Sequence, residues 1–186
     1  MKNTIVGLLV SLMLLSGNLG AKVPVTQSQK LRLTDNWEFL RQDVGNIWEL
    51  VRPMKVGQPE GSPIWTKVTL PHCFNAEDAV DPDVNYYQGP GWYKTQLTID
   101  NPYKNGRILL EFEGAGQKTD VYIYMTKVAG HTGGYDSWNV DITDAVNTFL
   151  SSKEAERFGG RVPLSIRCDN TRDAEMIPSD LSDFNL

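Results

Sequence analysis

Between Gly91 and Thr143 apolar and polar residues alternate with a period of two, in segments separated by turn residues. In Arg107–Glu113, Ile108, Leu110 and Phe112 fall on one face, and Leu109, Glu111 and Glu113 on the other. In Thr119–Met125, Val121, Ile123 and Met125 oppose Asp120, Tyr122 and Tyr124. In Ser137–Thr143, Trp138, Val140 and Ile142 oppose Asn139 and Asp141. Successive side chains of a strand point to opposite faces, so each segment is predicted to be a strand with one apolar face. Such strands build antiparallel sheets packed face to face, so the fold class is all-β, a β-sandwich of antiparallel strands.

The same pattern extends outwards. Leu31–Arg41 alternates as a strand around an Asp-Asn turn, and Trp65–Leu70 as a strand stopped by Pro71. Trp92–Ile99 and Arg161–Asp169 are further strands. Val51–Pro63, rich in Gly and Pro, reads as a loop, Asn101–Gly106 as a turn and Lys153–Gly160 as a polar surface loop. Ala76–Pro90 is a long loop crowded with Asp, Pro, Asn and Tyr, and loops of that length in compact domains are usually functional or mobile. Asp144–Ser151 predicts one or two helical turns with Ala145, Val146, Phe149 and Leu150 on one side and Thr143 or Asp144 as cap. Asn170–Leu186 is irregular and acidic.

The first residues change the picture of where the protein works. Lys2, the apolar run Ile5–Leu15 and the small residues before Ala21 form a secretory signal-peptide pattern over residues 1–21, with cleavage expected after Ala21. Residues 22–30 read as a flexible tether and 31–186 as the sandwich domain. The expected location is exported, periplasmic or extracellular. No other apolar stretch approaches about 18 residues, so no membrane association is expected after leader cleavage. The 186 residues hold one sandwich but not an additional catalytic barrel of about 250 residues.

Charge and cysteines narrow the chemistry. The formal net charge of −5, evenly mixed along the chain, argues against nucleic acid and anionic membrane as partners. An exported chain could pair Cys73 with Cys168. Cys168 also falls in phase with Leu164 and Ile166, which suits a buried free thiol. Two cysteines and two histidines without local pairing give no metal-site spacing, and no phosphate-binding glycine loop is present, so neither metal nor cofactor is expected.

A series of ordered landmarks resembles the N-terminal sugar-binding domain of family 2 glycoside hydrolases, the group of β-galactosidases, β-glucuronidases and β-mannosidases. They are Trp37-Glu38-Phe39, Leu70-Pro71-His72-Cys73-Phe74-Asn75-Ala76 and Gly89-Pro90-Gly91-Trp92-Tyr93-Lys94. Next come Leu110-Glu111-Phe112-Glu113-Gly114, Val121-Tyr122-Ile123 and Gly130-His131-Thr132-Gly133-Gly134-Tyr135. Val140-Asp141-Ile142-Thr143-Asp144 and Ile166-Arg167-Cys168-Asp169-Asn170 complete the series. The resemblance implies a jelly-roll sandwich of the galactose-binding type. It departs at Tyr124-Met125, where the family has an Asn-Gly hairpin turn, so a longer or distorted turn is expected. It also ends at Leu186, before the closing strand, the immunoglobulin-like domain and the catalytic barrel of the family. The chain is therefore expected to be a C-terminally incomplete front end, and those domains are its expected partners.

Glycoside hydrolysis needs two carboxylates about 5 Å apart for retention. The resemblance places both on the barrel, and Glu111 and Glu113 read as a solvated strand face, so the chain alone is expected to be inactive. His72 and His131 read as structural, and Trp92, Trp138 and Tyr135 as packing residues. Tyr86 and Tyr87 suit stacking on a sugar, and Asp78, Asp81, Asp83 and Asn85 suit bonding of hydroxyls; a merely solvated turn-rich loop is the other reading. By resemblance to the β-galactosidase branch, Asp183, then Asp180, would reach the barrel's active site, with Asn85 as a loop residue beside them. The implied role is the non-catalytic domain of an exported β-galactosidase-like hydrolase, binding a galactoside or other β-glycoside and helping shape its pocket. The alternative is a stand-alone carbohydrate-binding module.

Overall fold

The computed structural model describes residues 28–52, 64–103, 105–173 and 175. The chain divides into two compact units, Met1–Arg32 and Leu33–Leu186. Every regular element among the described residues lies in the second. The expected leader, residues 1–21, and most of the expected tether lie outside the described residues.

Among the described residues, eight strands and three short helices follow in order: β1 Trp37–Leu40, α1 Trp48–Val51, β2 Thr66–Val68, β3 Pro90–Leu97, β4 Leu109–Phe112, β5 Lys118–Ile123, β6 Thr126–Thr132, β7 Trp138–Asp141, α2 Thr143–Leu150, α3 Glu154–Arg157 and β8 Val162–Asp169. Six strands form one antiparallel sheet in the order β2-β1-β3-β8-β5-β6, and β4 pairs with β7 in a second. The two inner faces share one apolar core, as the alternation predicts for a sandwich. Trp37, Phe39, Tyr93, Val121, Ile123, Leu164 and Ile166 come from the larger sheet, and Val140, with Leu110 and Phe112 packed beside it, from the smaller. The helix α2 adds Val146 and Phe149 to this core. A second cluster, Leu40, Leu50, Val51 and Trp92, lies apart from it, where α1 covers β1 and β3.

Several expectations shift. The strand expected over Trp65–Leu70 is only Thr66–Val68, and that over Leu31–Arg41 only Trp37–Leu40. The alternation does not reveal β6, because it is an edge strand paired only with β5 and largely uncovered. A bulge between Val121 and Tyr122 also shifts its register. The polar stretch Lys153–Gly160 holds the single turn α3, whose Ala155 is buried.

The turn at Tyr124-Met125 is not longer than the family's. Ile123 pairs directly with Thr126, so the hairpin loop is two residues, and Tyr124 adopts φ +55°. A left-handed conformation costs a non-glycine residue about 1–2 kcal/mol. Tertiary contacts offset that cost: the Tyr124 ring packs 5.2 Å from Phe149 and 5.9 Å from Phe158, and its N–H donates to the Pro163 carbonyl at 2.8 Å. The distortion appears instead in the bulge.

Neither expected cap holds α2. Asp141 accepts hydrogen bonds from the Thr143 N–H at 3.0 Å and hydroxyl at 2.6 Å, while the same hydroxyl accepts the Ile108 N–H at 2.8 Å. Thr143 thus ties the helix start to the smaller sheet. The cysteines are both free, Cys73 exposed and Cys168 buried. Burial pushes the Cys168 thiol up to about 11.

Candidate functional site

Loop 76–90 is held in place by side chains that the sequence does not bring together. It starts as a run of tight turns, with Ala79 N–H donating to Asn75 O at 3.0 Å and Asp81 N–H to Glu77 O at 3.1 Å. The Asp78 side chain is 2% exposed and pairs with the Arg41 guanidinium from the end of β1. The same carboxylate oxygen accepts the Asn75 amide at 2.9 Å and the Tyr87 N–H at 3.0 Å. Asn75 also donates to the Tyr87 carbonyl at 2.9 Å and accepts from the Asn170 amide at 2.8 Å. Asn170, just past β8, donates to Tyr87 O at 3.0 Å and accepts the Gly89 N–H at 2.8 Å. Arg41 and Asn170, both distant in sequence, and Asn75 at the loop's start therefore clamp both ends of the loop. Buried polar groups persist only when satisfied in this way.

Gly89 shows how tight the exit is. Its φ is +150°, and a Cβ there would lie 2.9 Å from the Tyr87 hydroxyl oxygen. That hydroxyl donates to the Pro90 carbonyl at 2.8 Å.

The expected site residues separate. Asp78 is a buried support, not a surface ligand. Tyr87 is half-buried and works within the loop, its ring 4.9 Å under the Arg41 guanidinium and 6.1 Å from Phe74. Tyr86 is 52% exposed, and Asn85, Asp81 and Asp83 beside it also face solvent. Asp180 and Asp183 lie outside the described residues. Sequence reasoning missed Arg41, Asn75 and Asn170 as loop supports. Asn75 and Asn170 do sit within the landmark series, the one signal that pointed to them.

Neighbouring groups form a second polar set on the sheet's outer face. Asp43 accepts the Trp92 indole N–H at 2.8 Å and lies 3.3 Å from Arg167, which also bonds Asp169 at 3.0 Å. Burial pushes the Asp43 carboxyl up, but the Trp92 and Arg167 donors outweigh it and hold it below 3.8. Burial is likewise outweighed at Asp169, by the Thr171 hydroxyl and N–H and by Arg167. His72 bonds the Tyr93 hydroxyl at 2.9 Å, and burial lowers its pKa below 6.5. His131 has an acid partner that the sequence pattern does not reveal: its Nε2 is 3.1 Å from Asp136, and its ring stacks on Trp138 at 4.5 Å. Tyr135, expected to pack, is 80% exposed. Glu111 and Glu113 are exposed on β4 and the residue after it. Among the described residues no group of three His, Cys, Asp or Glu could hold a metal ion.

These shifts set an acid response. The unfolded carboxylates take up protons near 3.8, and Asp43 and Asp169 only lower, so their stabilisation is complete above 3.8 and is lost as pH falls through the folded values. His72 titrates near 6.5 when unfolded and lower when folded, so it adds an earlier decline below 6.5. Thermal melts from pH 8 to 3 are expected to show a shallow fall and then a steep one. Arg167→Met should reduce the steep fall alone.

Comparison with known proteins decides the family. The sugar-binding domain of glycosyl hydrolases family 2 matches residues 29–155. The chain belongs to that family. A crystal structure of Parabacteroides merdae β-glucuronidase is 74% identical with TM-score 0.79, covering 82% of this chain and 19% of that one. Bacteroides uniformis β-glucuronidase 3 is 66% identical with TM-score 0.79, covering 83% and 20%. A β-glucuronidase of Bacteroides fragilis is 29% identical over 159 residues, 86% of this chain and 19% of that protein. The chain thus spans about a fifth of the length of these relatives. In this family 2 domain the loop 76–90 lies where β3 begins and β8 ends, since Pro90 pairs with Asp169.

Proposed function

We propose that the chain is the non-catalytic N-terminal domain of an exported β-glucuronidase-type hydrolase, packing on the catalytic barrel and helping to shape the substrate pocket. The observation that carries this reading is the 74% identity to the Parabacteroides merdae β-glucuronidase, over a fifth of that protein. The substrate class narrows to a β-glucuronide, from the galactoside or other β-glycoside that the resemblance implied. Tyr86 and Asn85, on the clamped loop, would approach the sugar, with Tyr87 stiffening the loop behind them and Asp183 and Asp180 as further contacts. A rigid support matters because a site group displaced by about 1 Å can cost about 100-fold in rate. Proton transfer and attack on the sugar would belong to the barrel.

An antibody against residues 28–175 tests this in the source cells. The expected band is several times larger than the chain, lies in the exported fraction and cleaves an aryl β-glucuronide. A band of the chain's own size, with no such activity, would overturn the proposal.

A further inference from the structure

Lys94 takes no part in the support of loop 76–90. Its neighbours follow from register: Glu38 on β1 sits opposite it on one side, and Ser165 on β8 on the other. All three line a groove of about 970 Å³ over the outer face of the six-stranded sheet, walled by Leu50 and Val51 of α1 and by Phe158 just past α3. The volume falls in the range of small-ligand clefts, about 300–1,000 Å³. A lysine on an open strand would carry its ammonium into water. Here the side chain is 12% exposed, with Nζ 3.4 Å from Glu38 and 3.9 Å from the centre of the Trp65 ring.

Opposing effects act on that ammonium. Burial disfavours the charged form. Glu38, through its charge and its hydrogen bond, and Glu49 of α1, through its charge, favour it. Burial wins and holds Lys94 below 10.5, so it gives up its proton more readily than an ordinary lysine. The hydrogen bonds from Asp173 to Lys118 and from Asp120 to Lys127 act the other way and keep those two ammoniums protonated. An amine must be neutral to attack carbon, and desolvation in a cleft is one way a lysine becomes a nucleophile. The Glu38 carboxylate stands beside that nitrogen, where it can carry protons to and from whatever Nζ attacks.

We propose that Lys94 is a covalent attachment site for small α-hydroxyaldehydes, with Glu38 as its acid–base partner. Nζ adds to the aldehyde carbon, C1, and Glu38 carries one of its protons to the carbonyl oxygen, giving a carbinolamine. The new hydroxyl leaves with the second amine proton as water, giving an imine. Glu38 then moves the proton of the hydroxyl-bearing carbon, C2, to the nitrogen, giving an enaminol. The enol proton passes to C1, and a stable ketoamine results. One water is lost; C1 is reduced as C2 is oxidised, so no outside oxidant or reductant is needed. A simple aldehyde would stop at the reversible imine, because only the α-hydroxyl lets the double bond end as a ketone.

Two reactions on the full chain at pH 7 test this, each read by peptide mass spectrometry. One uses D-glyceraldehyde. The other uses formaldehyde with cyanoborohydride, which reports amine reactivity without the rearrangement. In the parent, Lys94 is expected to take up the triose adduct about tenfold or more faster than the exposed Lys127 and Lys153, because positioned acid–base catalysis contributes about 10²–10⁴-fold. Glu38→Gln should slow that adduct about tenfold or more. It should leave reductive methylation of Lys94 undiminished, since the lost carboxylate is one that favours the unreactive ammonium. Triose uptake at Lys94 no faster than at Lys127 would overturn the proposal, and that comparison needs no variant. An unchanged triose rate in Glu38→Gln, or both reactions falling together, would remove Glu38 from the chemistry and overturn it as well. None of these outcomes bears on the size or activity of the native polypeptide, so this proposal and the parent-enzyme reading fail separately.

Discussion

Replacing Asp78 by alanine is expected to destabilise the domain by about 3 kcal/mol or more. One carboxylate that is 2% exposed serves the Arg41 guanidinium, the Asn75 amide and the Tyr87 N–H together. Removing it leaves one part-buried charge and two inward donors without their acceptor, and unpaired buried groups cost more than the bonds themselves were worth. Asn75 and Asn170 would then have to hold the loop alone. Urea unfolding measures the loss. Limited proteolysis should also show faster cutting within loop 76–90, since a loosened loop is a preferred site of nicking. Asp78→Ala in an Arg41→Met background should cost less than in the parent, because the stranded charge is gone. A loss below about 1 kcal/mol in the parent would mean that the backbone turns alone organise the loop.

Leu164→Ala is expected to cost about 3 kcal/mol, within the usual range for large-to-small core changes. Leu164 is 1% exposed on the central strand β8, opposite Thr95 on one side and Ile123 on the other. Both neighbouring strands are paired throughout this region, so the backbone has little room to close the cavity. For a domain of this size the melting temperature should fall by about 10 °C. The contrast with Asp78→Ala lies in the loop: Leu164→Ala should leave proteolysis of residues 76–90 unchanged at temperatures well below the melt. Increased cutting there would show that the loop and the core unfold as one unit.

The sandwich was legible because period-two alternation is a local property, set wherever one face of a strand is buried. Residues 107–113, 119–125 and 137–143 carried it clearly, and each holds a strand. The edge strand β6 was not legible, because an uncovered strand needs no apolar face and its bulge breaks the period. At Tyr124 the local preference pointed to a longer turn, and packing against Phe149 and Phe158 overrode it. In the loop, composition identified the stretch but not the division of labour within it. Asp78 and Asp83 look alike in sequence; only the approach of Arg41, 37 residues away, makes one of them a buried support.

The linear order of residues was enough to establish the sandwich, the succession of its main strands, the family and the loop that carries the candidate contacts. Alternation, turn chemistry and landmark spacing are written along the chain and need no partner to be read. Folding in three dimensions settled which carboxylate is spent inside, that both thiols are free, and that Lys67, Glu38, Lys94 and Ser165 stand in one row. Each of those outcomes depends on which distant segments meet, and pairing register and desolvation exist only after they have met.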